Sequence, residues 1–376
     1  MNVIKMVDLK GQYEKIKKEI DKSISDVIES TAFINGPKVK EFQTHLENYL
    51  NVKHVIPCAN GTDALQISLM ALGLKAGDEV ITTPFTFIAT AEVIALLGMT
   101  CKFVDIEWDT FNLDVTQLEK AITPKTKAII PVHLFGQSCD MEKITQIAKK
   151  HALFVIEDTC QAIGAEFIFQ NGAQKRVGTI GDIGCTSFFP SKNLGCYGDG
   201  GAIFTNNDEL ERKLRIICNH GMFVKYHHEL LGVNSRLDSI QAAILDIKLK
   251  YLDEYNATRK KAADFYNKMF ENHPKIEIPT VSSFSTHVFH QYTIKLKNAD
   301  REKIIEEMKN AEIPVMIYYP IPLHLQKVFE NVGYEKGEFP IAEKLSESVI
   351  SLPMHTELTE EQQTYIADRL ITSLNL

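Results

Sequence analysis

Between residues 55 and 206, short apolar runs alternate with amphipathic stretches. The apolar runs include residues 79–83, 101–105, 128–132 and 153–157. Residues 63–72, 89–97 and 141–151 lie between them and place apolar side chains at helical spacing. Strands separated by helices in this way predict βαβ units and a mostly parallel sheet, an α/β fold. Gly73, Gly77, Gly98 and Gly136 fall where those elements should stop. Residues 236–270 contain no Gly or Pro, and Ile240, Ile244, Ile247 and Tyr251 share one helical face. They predict one long helix, straight or bent, linking two domains.

The pattern changes after Pro274. Strands are predicted at 288–296, 314–319 and 349–352, with a helix at 300–309. A last helix opens at a capping box, Thr359 with Gln362 three residues on, and runs to the end. The expected organisation is a large domain over 1–250 and a smaller α+β domain over 251–376.

Composition narrows the function. The 376 residues are 44% hydrophobic and 24% charged, with formal net charge −8. That is ordinary globular composition, without the basic excess of a nucleic-acid binder. Lys15 to Lys22 alternate with Glu14, Glu19 and Asp21, a solvated helix face. The seven cysteines are widely spaced with no CxxC, which predicts reduced thiols in a cytoplasmic protein and no metal site. No apolar run approaches the roughly 20 residues of a membrane span.

Three motifs carry candidate chemistry. Asn60-Gly-Thr-Asp-Ala-Leu65 follows a short apolar run and opens a helix. Free N–H groups and the positive helix end there would face an anion. Gly61 admits close approach, and Thr62 adds a hydroxyl donor. A plain helix cap is the alternative. Phe154-Val-Ile-Glu-Asp158, with Gln161 beyond it, puts carboxylates at the C-terminal end of a strand, where open α/β sheets bind ligands. A buried carboxylate needs a partner, which a cationic heteroaromatic nitrogen would supply; a helix N-cap is the alternative. Ser187-Phe-Phe-Pro-Ser-Lys192 sets one lysine in an aromatic, uncharged, Gly-bounded stretch. Desolvation would leave Lys192 a neutral amine, the form that condenses with an aldehyde; a lysine snorkelling from a loop is the alternative. Gly200 and Gly201 precede a strand rather than open a helix, which argues against a dinucleotide loop.

Together these motifs, with Gly198-Asp-Gly-Gly-Ala202 and Asn234-Ser-Arg-Leu-Asp238, resemble the DegT/DnrJ/EryC1/StrS nucleotide-sugar aminotransferases. The resemblance spans nearly the whole chain and implies the aspartate-aminotransferase (type I) fold with pyridoxal 5′-phosphate as cofactor. By position, Lys192 resembles the imine-forming lysine and general acid/base. Asp158 resembles the partner of the pyridine nitrogen, and Gln161 would lie near the ring's phenolic oxygen. Gly61, Thr62 and Ser187 resemble the phosphate cradle, and Phe87 the aromatic residue stacked on the ring. Phe87 alone could equally be core packing. Asn234 resembles a residue that reaches the phosphate from a neighbouring subunit, which implies a homodimer.

The wording around Lys192 and Arg236 is most similar to aminotransferases of UDP-2-acetamido-2-deoxy-3-oxo-glucuronate, with glutamate as the implied amino donor and surface polysaccharide as the destination. Thr31, Phe33, Ser191, Arg236, Tyr318 and Tyr319 would line the sugar site. Arg236 is the candidate for a substrate carboxylate, with a structural salt bridge as the alternative. Two departures stand out: Tyr318 replaces a His before Tyr-Pro, and Phe33 replaces a Tyr. Both remove a polar contact, so a dTDP-linked 3-keto-6-deoxyhexose or a UDP-linked 4-keto sugar remains an alternative. Sugar dehydratases of this fold carry His where Lys192 stands, and an inactive regulator should have lost Lys192 or Asp158. His227 and His228 are adjacent and point to different faces, so they predict no metal site.

Overall fold

The computed structural model describes residues 3–375. The chain begins with α1 (Leu9–Ser30), α2 (Pro37–Leu50), β1 (His54–Cys58), α3 (Gly61–Ala71), β2 (Glu79–Thr82) and α4 (Ala89–Leu96). It continues through β3 (Thr100–Phe103), α5 (Val115–Ala121), β4 (Thr126–Ile129), α6 (Met141–His151) and β5 (Phe154–Asp158). A hairpin, β6 (Glu166–Ile168) and β7 (Gln174–Arg176), precedes β8 (Ile183–Ser187), β9 (Gly201–Thr205) and α7 (Asp208–Cys218). A second hairpin, β10 (Met222–Val224) and β11 (His227–His228), leads to α8 (Ser239–Leu249) and α9 (Leu252–Phe270). The remainder is β12 (Ile276–Glu277), β13 (Tyr292–Leu296), α10 (Arg301–Asn310), α11 (Pro340–Ser348), β14 (Val349–Leu352) and α12 (Glu360–Leu374).

Seven strands form one sheet in the order β1-β9-β8-β5-β4-β2-β3. Strands β8, β5, β4, β2 and β3 pair in parallel, and β9 is antiparallel to both its neighbours. Helices cover both faces, which explains why the strands read as apolar runs rather than alternating ones. A second, antiparallel sheet of β12, β13 and β14 packs with α9, α10 and α12.

The two layers of core interlock across the chain. Ile4 joins the C-terminal cluster, whereas Leu323, Phe329, Phe339 and Leu345 pack with the large sheet. Asp105 accepts the Ile341 and Ala342 N–H groups at the start of α11, both at 3.0 Å. A carboxylate at a helix N-terminus is favourable there. Trp108 donates to Glu277 (2.8 Å), which also pairs with the fully buried Lys295 (2.5 Å). These contacts join the segment after β3 to the small sheet.

Three expectations are corrected. The long helix begins at Ser239, not Arg236, because Asp238 is extended (ψ 144°) and bridges Ile34. It then breaks at Lys250–Tyr251, where N–H groups bond three residues back, before α9 resumes. The strand predicted over 288–296 starts only at Tyr292, since Phe289 adopts a left-handed conformation (φ 44°) that no strand accommodates. Residues 314–319 form no strand beyond a single bridge between Met316 and Ser351. The helix predicted over 300–309 is α10, capped by Asp300, and the capping box at Thr359 and Gln362 is present on α12. On α1, Lys17–Asp21 and Lys22–Asp26 pair one turn apart, as a solvated face should. Among the described residues no helix is long and apolar enough to cross a membrane.

Candidate active site

The C-terminal ends of the parallel strands open on a cavity of about 350 Å³. Its floor comes from α3. The Asn60 side chain caps this helix by accepting the Asp63 N–H (2.8 Å). The Gly61 and Thr62 N–H groups are left at the helix end, beside the cavity. The fit there is close. A Cβ on Gly61 would stand 2.7 Å from Ser187 Cβ and 3.0 Å from Cys160 Sγ. A Cβ on Gly201 would strike the Asn60 backbone at 2.4 Å, which explains the glycine that opens β9. The Ser187 oxygen accepts the Phe189 N–H at 3.2 Å and keeps its proton to donate.

Adjacent carboxylates on β5 point to opposite faces. Glu157 is fully buried and accepts from the backbone of Gly178, Ile180 and Gly181 and from His133 Nε2, so it is a structural anchor. Asp158, 5% exposed, faces the cavity. Its Oδ2 accepts the Thr90 hydroxyl (2.8 Å) and its Oδ1 the Cys160 N–H (3.1 Å). These two donors orient the carboxylate and leave lone pairs for a cation. Gln161 is oriented as firmly. Its oxygen accepts the Phe135 N–H (2.9 Å), so its amide nitrogen donates to Tyr319 Oη (3.0 Å). Burial raises the Tyr319 phenol well above its usual range.

Lys192 lies in the loop between β8 and β9, its N–H bonded to Phe189 O (2.8 Å). Its amine faces the cavity and makes no hydrogen bond among the described residues. Burial pushes it below the usual lysine range, while the neighbouring Cys160 and Asp158 pull the other way. Phe87, 56% exposed, stands at the cavity wall with Ser191, Tyr318 and Tyr319.

A close-fitting anion cradle, an oriented carboxylate with spare acceptor capacity and an unpartnered amine suit a phosphorylated heteroaromatic aldehyde. The residues fit pyridoxal phosphate. Gly61, Thr62, Phe87, Asp158, Gln161, Ser187, Ser191, Lys192, Tyr318 and Tyr319 all line this one cavity. Thr31, Phe33, Asn234 and Arg236 do not. Phe33 O accepts the Ser239 N–H, Asn234 bridges Asn219, and Arg236 lines a separate cavity of about 490 Å³ with Asn35 and Lys40. Arg236 Nη1 reaches Asn219 Oδ1 at 3.4 Å and has no ion pair among the described residues. The alternative of a salt bridge to Asp238 is therefore overturned.

The site also contains Thr90, Cys160, His290 and Gln291, which the motifs did not single out. Thr90 had a readable signal, since it follows Phe87 by three residues on the same helical approach. His290 and Gln291 had none, because they come from the far side of the chain.

A profile of the DegT/DnrJ/EryC1/StrS aminotransferase family matches residues 14–371, and the chain belongs to that family. It is 50% identical to a pleiotropic regulatory protein of Geobacillus stearothermophilus, over 98% of each chain. It is 47% identical to the UDP-2-acetamido-2-deoxy-3-oxo-D-glucuronate aminotransferase of Pseudomonas aeruginosa, over 95% of this chain and 96% of that one. The crystal structure of NtdA from Bacillus subtilis with bound pyridoxamine phosphate superposes with a TM-score of 0.89 at 36% identity, covering 96% of this chain and 82% of that one. The chain is an aminotransferase with the type I fold, and its cofactor is pyridoxal phosphate.

Proposed function

We propose that the chain moves an amino group from glutamate to C3 of UDP-2-acetamido-2-deoxy-3-oxo-glucuronate, in the cytoplasm, for surface polysaccharide. The observation that carries the chemistry is the unpartnered, half-buried Lys192 amine sharing one cavity with the doubly oriented Asp158. Arg236, a guanidinium without a carboxylate partner, supports an acidic sugar. All seven cysteines are free, in keeping with a reducing compartment.

When bound, pyridoxal phosphate supplies an aldehyde carbon for the amine and a ring that takes up electron density. The Gly61 and Thr62 amides and the Ser187 hydroxyl would hold its phosphate. Asp158 would hold a proton on the ring nitrogen, Gln161 would serve the phenolic oxygen, and Phe87 would cover the ring. Lys192 Nζ, its hold on a proton weakened by burial, would take a proton from the donor carbon and deliver it to the cofactor's former aldehyde carbon within the same half-reaction, and would move one the opposite way in the sugar half. Tyr319, Tyr318 and Ser191 line the path to the sugar.

The active unit is a homodimer. Thr31, Phe33, Asn234 and Arg236 lie outside the Lys192 cavity of their own chain, as residues serving a partner's cavity would. Phe33 (43%), Val224 (55%), Tyr226 (79%) and Leu231 (90%) leave apolar surface exposed, in keeping with a partner.

Purified protein should be yellow, bleach with borohydride, and be colourless as Lys192→Ala. The pyridoxamine form should then be offered 3-keto and 4-keto nucleotide sugars, and the return of yellow absorbance timed. The 3-oxo uronate should react fastest. Arg236→Ala should slow that half-reaction about 10- to 100-fold, the range of a lost charged hydrogen bond. A faster reaction with a neutral 4-keto sugar overturns the sugar assignment.

A further inference from the structure

His290 enters the Lys192 cavity from the segment ahead of β13 and is 6% exposed. Its ring orientation follows from a chain of hydrogen bonds. The Asn193 side-chain nitrogen donates to Val288 O (3.0 Å) and to Asn256 Oδ1 (2.7 Å). Asn256 in turn donates to Ile163 O (3.2 Å). A backbone carbonyl only accepts, so the Asn193 amide has one possible orientation, and its Oδ1 faces His290 Nδ1 at 3.3 Å. An oxygen that only accepts obliges Nδ1 to carry the proton. Burial, together with the nearby Arg259 cation, disfavours a second proton on the ring. Nε2 is therefore a bare lone pair. Among the described residues its one hydrogen-bonding contact is the Gln291 amide at 3.5 Å, too long for a good bond.

We infer that His290 Nε2 is a ligand-binding acceptor of this site, set by Asn193 and Asn256 to receive an N–H or O–H donor from whatever occupies the cavity. The placement suits it: Asn193 follows Lys192 directly, so the loop that presents the amine also fixes the imidazole. Two sources offer that donor chemistry. One is the amino group in transit, common to both halves of the cycle; the other is a hydroxyl of the sugar, present in only one. This role rests on the Lys192 cavity being the reaction site.

The test compares His290→Leu, which removes the acceptor, with His290→Gln, which retains one. Each half-reaction is timed separately, with glutamate and with the keto sugar. His290→Leu should slow at least one half-reaction about tenfold, the scale of one lost neutral hydrogen bond, with His290→Gln recovering much of it. Loss in both halves identifies the amino group, and loss in the sugar half alone identifies a hydroxyl. Imidazole ¹⁵N spectra of the wild type give a second readout, with Nδ1 protonated, Nε2 bare, and the Nε2 signal moving when substrate binds. Half-reactions unchanged in His290→Leu, or a proton found on Nε2 in place of Nδ1, overturn the inference. A wild type that never takes up cofactor would instead sink the reading of the cavity, while the tautomer measurement would still stand.

Discussion

Replacing Thr90 by valine isolates the bond that orients Asp158. The substitution keeps the shape of a side chain that is 1% exposed and removes only the hydroxyl, which stands 2.8 Å from Asp158 Oδ2. Asp158 is itself 5% exposed, so water reaches the abandoned oxygen poorly. One of its two donors then remains, the Cys160 N–H at the longer distance of 3.1 Å. A hydrogen bond to a charged group contributes about 1.5–3 kcal/mol, and an isosteric change adds little cavity cost. That total divides between the stability of the apoenzyme and the affinity for pyridoxal phosphate. Urea unfolding of the apoenzyme gives the first part. Absorbance titration of the apoenzyme with cofactor gives the second, about tenfold in Kd for each 1.4 kcal/mol. Thr90→Ser loses a methyl group but keeps the donor, so its cofactor affinity should stay close to wild type. The reasoning fails if Thr90→Val leaves both quantities unchanged, or if Thr90→Ser weakens binding as much.

Three further outcomes follow from local geometry. Gly61→Ala should raise the cofactor Kd about 5- to 150-fold by calorimetry, because its Cβ meets Ser187 at 2.7 Å and overpacking costs about 1–3 kcal/mol; unchanged affinity would show that the cradle has slack. Lys248 is buried against Gly195 O (2.6 Å) and pushed down to about 8 by burial, below its unfolded value of 10.5. The unfolded chain binds more protons between those values, so stability should rise with pH there, by up to about 3 kcal/mol relative to Lys248→Met, and a flat difference would refute it. Glu277 is held down to about 2 by Lys295, Lys297 and Trp108 against the opposing effect of burial, so its contribution is complete above 4.5 and lost as pH falls toward 2. The stability gap between wild type and Glu277→Gln should close over that acid range, and a pH-independent gap would count against the clamp.

Much of the large layer was legible because its signals are local. Parallel strands buried on both faces leave continuous apolar runs, and α3, α4 and α6 lie within a residue or two of the spacing that predicts them. The capping box of α12 is a contact within one turn, so four residues suffice to read it. Lys192 was legible for a related reason. A lone cation among Phe188, Phe189 and glycines has no local partner, so its meaning does not wait on distant residues. The failures lie where a distant contact overrides local propensity. Residues 288–290 have strand composition, but the Phe289 and His290 carbonyls accept from the buried Arg259 guanidinium on α9. The strand cannot start until that debt to α9 is discharged, at Tyr292.

Arg236 shows the same limit at the scale of the site. Its closeness in sequence to Asp238 leaves a local salt bridge open on sequence alone. In the fold the guanidinium stands beside Asn219, with no carboxylate partner among the described residues. A half-buried cation without a counter-ion is costly to keep unless something anionic visits it. The resemblance puts Arg236 at the Lys192 site, whereas the fold puts the two in different cavities of one chain. The proposed dimer, in which each site draws on two chains, reconciles the two. Mixing Lys192→Ala with Arg236→Ala protein should restore about a quarter of the sites in the resulting dimers, whereas a site built within one chain would gain nothing from mixing.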